Sequence, residues 1–377
     1  MSAVPALRDA IALPDRLELR WDDGVVSTVP WIWVRDHAHD EQSYHPVTLQ
    51  RQLWTAGVDP GLTASSVTID ADDVVVAWSD GSTSSLPIAF VAAHRVARTA
   101  TARVDEPRVM WDAATIVPHP TIDHDEVMAD DDGVVRWLRL VARTGFAIVT
   151  GTPPTAAATE ALIARIAYVR ETIFGGFWEF TADLSKADTA YTNLELRPHT
   201  DGTYSHDAPG LQLLHCLAFD GTGGESTMVD GFRIAHELRA SAPEQFALLA
   251  SVPIPGQYLG DGAHLRAARP VFRLDHDGEL VQVSFNNADR APLVLPHDEL
   301  VALYDALRAF DLMANDPAFQ WRHVLRPGEA MLFDNWRVLH GRTAYTGNRR
   351  LCGAYLNHED FESRLRLAGP TVASTRA

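Results

Sequence analysis

Residues 17–29 alternate between apolar and polar side chains. Leu17-Glu18-Leu19-Arg20-Trp21 places an apolar residue at every second position, the period of a strand with one buried face. Asp22-Asp23-Gly24 then supplies a turn into a second short strand over 25–29, so the stretch predicts a hairpin. Further strands are expected over 67–69 and 74–78, with a turn at Ser79-Asp80-Gly81. Residues 1–97 thus predict a small β-rich domain. The Arg- and Pro-containing stretch 98–120 reads as a linker to a second domain over 121–377.

The period changes near residue 130. Asp130-Asp131-Asp132 precede an apolar pattern of 3.6-residue period running from Val134 to Val141, the signature of a helix start. Phe146-Ala147-Ile148-Val149, bounded by Gly145 and Gly151, predicts a buried strand. Pro153-Pro154 and an alanine-rich run over 155–168 predict another helix. Beyond Leu211, short apolar runs at 211–217, 226–229, 271–274 and 280–285 alternate with Gly, Asp and Asn turns. One more helix is predicted over 297–313. A turn at Arg326-Pro327-Gly328-Glu329 then leads to strands over 330–333 and 351–356, and residues 370–377 are expected to fray. Many short strands around few helices predict a mainly β fold with flanking helices, built as a jelly-roll-like barrel whose mouth holds the site.

Charge narrows the partners. A formal net charge of −18 argues against nucleic acid, whose recognition rests on a basic footprint. Lys186 is the only lysine, which we read as a composition bias and not as chemistry. Cys216 and Cys352 both fall in strand-like apolar runs, where buried free thiols of a reducing cytoplasm are expected. The N-terminus lacks the basic start and apolar run of a secretory signal, and no apolar stretch approaches the ~20 residues that span a bilayer. A cytoplasmic protein without a membrane partner is expected.

The candidate chemistry lies in Leu196-Arg197-Pro198-His199-Thr200-Asp201-Gly202. In an extended segment His199 and Asp201, two residues apart, point to the same side and can grip one metal ion. An isolated His-x-Asp is a weak signal, more often a satisfied polar pair. His340, in Phe333-Asp334-Asn335-Trp336-Arg337-Val338-Leu339-His340-Gly341-Arg342, offers a third ligand. Two histidines and one carboxylate on one face of a metal form the facial triad of non-haem Fe(II) oxygenases, with the remaining positions open to oxygen and an organic acid.

With these motifs aligned, the chain resembles the gamma-butyrobetaine and trimethyllysine dioxygenases of the taurine-dioxygenase superfamily. The resemblance runs from Leu19 to about Leu367. It is carried also by Pro209-Gly210-Leu211-Gln212-Leu213-Leu214-His215-Cys216, Gly223-Gly224-Glu225-Ser226, Val229-Asp230-Gly231-Phe232 and Phe285-Asn286-Asn287. It implies a double-stranded β-helix (jelly-roll) catalytic core in which His199, Asp201 and His340 hold Fe(II) and 2-oxoglutarate is the co-substrate. The family's arginine for the distal carboxylate of 2-oxoglutarate corresponds to Arg349, with Arg342 as a second cation and Leu214 beside them. A guanidinium suits that task because it donates two parallel hydrogen bonds. Arg350 is the neighbour that could be confused with Arg349.

The resemblance also implies an aromatic cage. Its positions here are Phe174, Trp178, Tyr191 and Tyr355, with Asp188 near the cation and Asn286 at the substrate's carboxylate end. A trimethylammonium group has charge but no N–H donor, so aromatic faces recognise it. Any one of these rings alone is more often core packing. The family pattern has tyrosine at position 174; phenylalanine keeps the π face and loses a hydroxyl. The expected reaction is hydroxylation of a small quaternary ammonium acid, with O2 consumed, 2-oxoglutarate converted to succinate and CO2, and ascorbate as the assay reductant. Gamma-butyrobetaine, giving carnitine, is the leading substrate; trimethyllysine, then a trimethylammonio phosphonate or another betaine, follow. A taurine-type enzyme with another small substrate, a non-catalytic metal- or acid-binding barrel and an N-terminal interaction module are the rivals. A homodimer is expected from relatives.

One departure concerns the N-terminal domain. The family's structural zinc uses three cysteines and a histidine, and the corresponding positions here are Ala38, Asp40, Ser43 and Ser82. With no thiolate there, no zinc is expected, and His37, His39 and His45 read as part of a solvated polar loop.

Overall fold

The structure, a computed structural model, describes residues 5–95, 106–180, 193–260 and 262–368. The chain divides into two compact units, described over residues 5–95 and within residues 106–368. Among the described residues no helix is long and apolar enough to cross a membrane.

The first unit contains two three-stranded antiparallel sheets. One joins Leu7–Ala12, Arg16–Trp21 and Val26–Pro30; the other joins Ala64–Asp70, Asp73–Trp78 and Thr83–Pro87. The alternation places Leu17, Leu19 and Trp21 inside, with Arg16 and Arg20 exposed, and it does the same for Val74, Val76 and Trp78. Trp31 meets Trp78 edge-on at 5.8 Å, and the Trp21 and Trp78 indole N–H groups donate to Ser27 Oγ and Ser84 Oγ. The strand Leu7–Ala12 and the short helix Trp31–Asp36 were not expected from the pattern.

The polar loop of this unit is more ordered than its composition suggested. Ala38 and Ser43 are buried, and Arg35 Nη1 donates to Ser43 Oγ at 2.5 Å and to Ser84 Oγ at 3.2 Å. The same nitrogen lies 3.8 Å from Asp40 Oδ2. His37 stacks on Trp33, His39 stacks on Tyr44, and His45 Nδ1 accepts from the backbone N–H groups of Val47 and Thr48. Ser82 Oγ donates to Asp80 Oδ1 within the turn.

The second unit holds the two sheets of a jelly roll. One has the strand order Thr121–Asp123, Phe146–Thr150, Ala330–Asp334, Leu211–Phe219, Arg349–Leu356, Trp178–Phe180. The other has the order Leu196–His199, Val338–Arg342, Ser226–Asp230, Gln320–His323. Among the described residues only the pairing of Thr121–Asp123 with Phe146–Thr150 is parallel. Helix Asp131–Thr144 covers the larger sheet: Asp130 caps it through Gly133 N–H, Gly145 ends it at φ 86°, and Val134, Trp137, Leu138 and Val141 form its buried stripe. Helices Gly231–Ser241, Pro243–Ser251 and His297–Ala314 pack around a second core that includes Phe246, Phe272 and Phe310.

The stretch read as a linker differs in the structure. Residues 98–105 lie outside the described residues, but 106–120 belongs to the second unit, because Trp111 and Ile116 are buried in its core. Trp111 N–H donates to Asp230 Oδ2, and its indole N–H donates to Thr144 O. Asp230 in turn forms a two-bond ion pair with buried Arg337, at 3.0 and 2.8 Å, and Arg337 also donates to the Val109 and Arg143 carbonyls. A linker would carry none of these bonds; an apolar indole with a buried partner ties the segment down.

The expected elements shift at their edges. The helix predicted over 155–168 spans Ala156–Ala164, and the strands predicted over 271–274 and 280–285 shorten to Phe272–Leu274 and Leu280–Val283. The hairpin Ile254–Gly260/Ala263–Arg269 was not anticipated. The predicted fraying over 370–377 falls outside the described residues.

Candidate active site

Strand register assembles the centre. Leu196–His199 pairs antiparallel with Val338–Arg342, and His199 lies directly opposite His340, their rings 4.4 Å apart. Asp201 follows on a turn that Gly202 closes at φ 72°, where a Cβ would come 2.6 Å from Pro209 Cδ. His199 Nε2 lies 3.4 Å from Asp201 Oδ1, and His340 Nε2 lies 3.5 Å from Asp201 Oδ2. One donor atom from each residue falls within 4.8 Å of the others, and among the described residues this is the one such group of three.

The surroundings fix these donors. His199 Nδ1 bonds the Arg197 carbonyl at 2.8 Å, which makes Nδ1 the protonated nitrogen and leaves Nε2 as a ligand atom. Asn335 Oδ1 accepts from Asp201 N–H at 2.8 Å while its amide donates to the Asp201 and Pro209 carbonyls. Tyr355 donates its hydroxyl to Asp201 Oδ2 at 2.7 Å. His340 packs against Phe333, and its Nδ1 has no hydrogen-bond partner among the described residues.

Burial and charge set the protonation states. For His340 burial dominates, pushing the imidazole down to about 3 and keeping it neutral. For His199 burial also lowers, but the hydrogen bond and charge of Asp201, helped by Asp289, more than offset it and the net shift is upward. Burial would raise Asp201, yet the two histidines and the Tyr355 hydroxyl hold it well below the usual carboxylate range. A permanently ionised carboxylate with two imidazole nitrogens converging on it is a donor set that fits Fe(II).

The same centre opens into a cavity of about 450 Å³. Period 2 explains its wall. Arg349, Leu351, Gly353 and Tyr355 share one face of Arg349–Leu356, opposite Gln212 and Leu214 of the neighbouring strand. Arg342 is two residues beyond His340, paired with Ser226, and lines the cavity too. Arg342 donates to the Leu194 carbonyl, and both guanidiniums stand over the Tyr345 ring at 4.9 and 5.7 Å. Burial, with Arg342 adding repulsion, pulls Arg349 down to about 10, and no carboxylate among the described residues neutralises it. A desolvated cation at the end of a cavity that begins at the metal donors fits the distal carboxylate of 2-oxoglutarate.

Aromatic rings line the rest. Trp178 meets Tyr355 edge-on at 5.6 Å, and Phe174 meets Tyr258 edge-on at 5.4 Å. Gly353 makes room for the indole, since a Cβ there would come 2.8 Å from it. Phe174, Trp178, Tyr355 and Asn286 therefore share the cavity with the metal donors, Arg342, Arg349 and Leu214. Tyr191 and Asp188 lie outside the described residues. Sequence reasoning missed Tyr204, Tyr258 and Asp289, all in the cavity lining. Asp289, two residues beyond the Phe285-Asn286-Asn287 motif, carried the one available signal.

Residues 109–355 match the model of the taurine catabolism dioxygenase TauD, TfdA family, and residues 13–87 match the gamma-butyrobetaine hydroxylase-like N-terminal model. The chain is 35% identical to a trimethyllysine dioxygenase of Meyerozyma guilliermondii, over 94% of this chain and 93% of that one. Identity to the human mitochondrial trimethyllysine dioxygenase is 35%, over 94% and 86%. A gamma-butyrobetaine dioxygenase of Pseudomonas is 33% identical over 96% of each. In fold, the chain resembles a putative alpha-ketoglutarate-dependent taurine dioxygenase of Burkholderia xenovorans, with a TM-score of 0.50, 15% identity and coverage of 67% and 92%.

Proposed function

The chain belongs to the taurine catabolism dioxygenase (TauD, TfdA) family of Fe(II)/2-oxoglutarate oxygenases, in its gamma-butyrobetaine and trimethyllysine dioxygenase branch, and on that premise we propose that it hydroxylates trimethyllysine. The observation that carries this reading is the convergence of an Fe(II) donor set and of Phe174, Trp178 and Tyr355 on one cavity. A taurine-type sulfonate would need donors, not ring faces, at its charged end. Trimethyllysine stands ahead of gamma-butyrobetaine, the leading substrate expected from the resemblance, because relatives named for it reach 36% identity against 33%. Gamma-butyrobetaine is the second substrate to test.

Iron bound at His199, Asp201 and His340 supplies the oxygen chemistry that couples oxidative decarboxylation of 2-oxoglutarate to hydroxylation of a C–H bond. The chain's own residues do the rest. Asp201 stays ionised, and the neutral imidazole of His340 keeps its lone pair for the metal. Arg349, with Arg342 beside it, binds the distal carboxylate of 2-oxoglutarate against Leu214. Phe174, Trp178 and Tyr355 hold the trimethylammonium group. Asn286 spends one amide N–H on Asp289, at 2.9 Å, and has a second for the substrate's carboxylate. Fixing both ends of the substrate would orient the target carbon towards the site where His199, Asp201 and His340 would hold the metal.

Cys216 and Cys352 are buried free thiols, which supports the cytoplasm as the proposed compartment. A homodimer, carried over from the family resemblance, is checked by light scattering. The functional test is incubation with Fe(II), ascorbate, 2-oxoglutarate, O2 and either trimethyllysine or gamma-butyrobetaine. Trimethyllysine should gain one oxygen atom as succinate forms. Succinate without oxidation of either compound would overturn the substrate, and no succinate from iron-loaded protein would overturn the activity.

A further inference from the structure

Asp289 has a place in the cavity that the functions so far do not use. Its carboxylate lines the cavity with the metal donors and the rings, half-buried, on the irregular stretch after Phe285. Two donors converge on Oδ2: Thr203 Oγ1 at 3.1 Å and Asn286 Nδ2 at 2.9 Å. Its backbone is held as well, since Gln257 N–H donates to the Asp289 carbonyl and Ala291 N–H to the Pro255 carbonyl. The other cavity carboxylates are differently placed. Asp201 belongs to the metal donors, Glu195 is exposed, and Asp311 accepts from Asn315 on its own helix.

The chemistry points to a ligand. A trimethylammonium group has no N–H, and ring faces serve it without a hydrogen-bonding carboxylate. An anchored carboxylate is suited to a primary ammonium, which donates three charge-assisted hydrogen bonds. It also repels a bare carboxylate placed next to it, and so discriminates against an acid lacking the amine. We propose that Asp289 is the subsite for the α-ammonium of a trimethylated amino acid, so that the cavity reads its substrate at two cationic ends. This rests on the reading of the substrate as trimethyllysine and assigns the residue that separates it from gamma-butyrobetaine.

The test compares trimethyllysine with its des-amino analogue, trimethylammoniohexanoate, in wild type and Asp289→Asn. Both kcat/KM and the calorimetric Kd of anaerobic enzyme loaded with Fe(II) and 2-oxoglutarate are read. Wild type should prefer trimethyllysine by about tenfold or more in both quantities, the effect of one charge-assisted contact. Asp289→Asn should shrink that preference severalfold and shift the balance towards gamma-butyrobetaine. Equal use of the two compounds by wild type would overturn the subsite while leaving the trimethylammonium reading intact. An equal loss for both in Asp289→Asn would overturn it too, assigning the carboxylate to the trimethylated end. If wild type bound and turned over neither, the substrate reading would fall and take the subsite with it. Circular dichroism of this near-isosteric variant separates misfolding from loss of charge.

Discussion

At the proposed iron end of the cavity, the side chains assigned to the reaction hang from paired strands or their immediate turns: His199, His340 and Arg342 on one sheet, Arg349, Leu214 and Tyr355 on the other. At the proposed substrate end, among the described residues, Phe174, Tyr204, Asn286 and Asp289 sit in turns and irregular segments, while Trp178, Tyr258 and Tyr355 come from strands. The first arrangement is fixed by register, because moving His340 one residue would turn it to the other face of its sheet. The second can change without disturbing any ladder, which is where specificity can diverge on a shared reaction centre. Tyr355 joins the two ends: its ring meets Trp178 and its hydroxyl meets Asp201.

Variants at the two ends should therefore fail differently. His340→Ala removes one of three iron donors and is expected to abolish tight Fe(II) binding and product formation, with circular dichroism unchanged. Retained iron affinity would break the assignment of that end. Arg349→Leu should raise KM for 2-oxoglutarate by about one to two orders of magnitude, the loss of a charge-assisted pair, with a smaller change for trimethyllysine. A larger effect on trimethyllysine would place Arg349 at the wrong end. Trp178→Ala should raise trimethyllysine KM about thirtyfold, from a desolvated cation–π contact of about 2 kcal/mol, and leave the affinities for iron and 2-oxoglutarate unchanged. Tyr355→Phe keeps the ring and removes the hydrogen bond to Asp201. It should weaken iron binding and kcat by about tenfold or less while KM moves little; a rise in KM alone would confine Tyr355 to the ring role.

The iron end was legible in the sequence for the same reason that it is rigid. A His-x-Asp in an extended segment and a histidine inside an apolar strand carry a period that survives without coordinates. The helix Asp131–Thr144 was legible through its acidic cap and buried stripe. The substrate end was legible only through family resemblance, because a ring in a turn has no period to betray its direction. Tyr258 was missed because its hairpin contains Pro255, Gly256 and Gly260, which disguise a strand. Asp289 is an ordinary loop acid until Thr203, distant in sequence, is seen beside it. The reading of 98–120 as a linker misses that its described part, 106–120, is tied down by Trp111, whose burial depends on partners at Asp230 and Phe146.

The central claim is that a positive charge, held by ring faces, positions the substrate for the iron end. The most direct measurement is the rate of succinate formation with trimethyllysine and with its neutral isostere, in which a tert-butyl carbon replaces the quaternary nitrogen. Trimethyllysine should stimulate strongly and the isostere little at equal concentration. Equal stimulation by both would contradict that claim, making the rings a merely apolar wall.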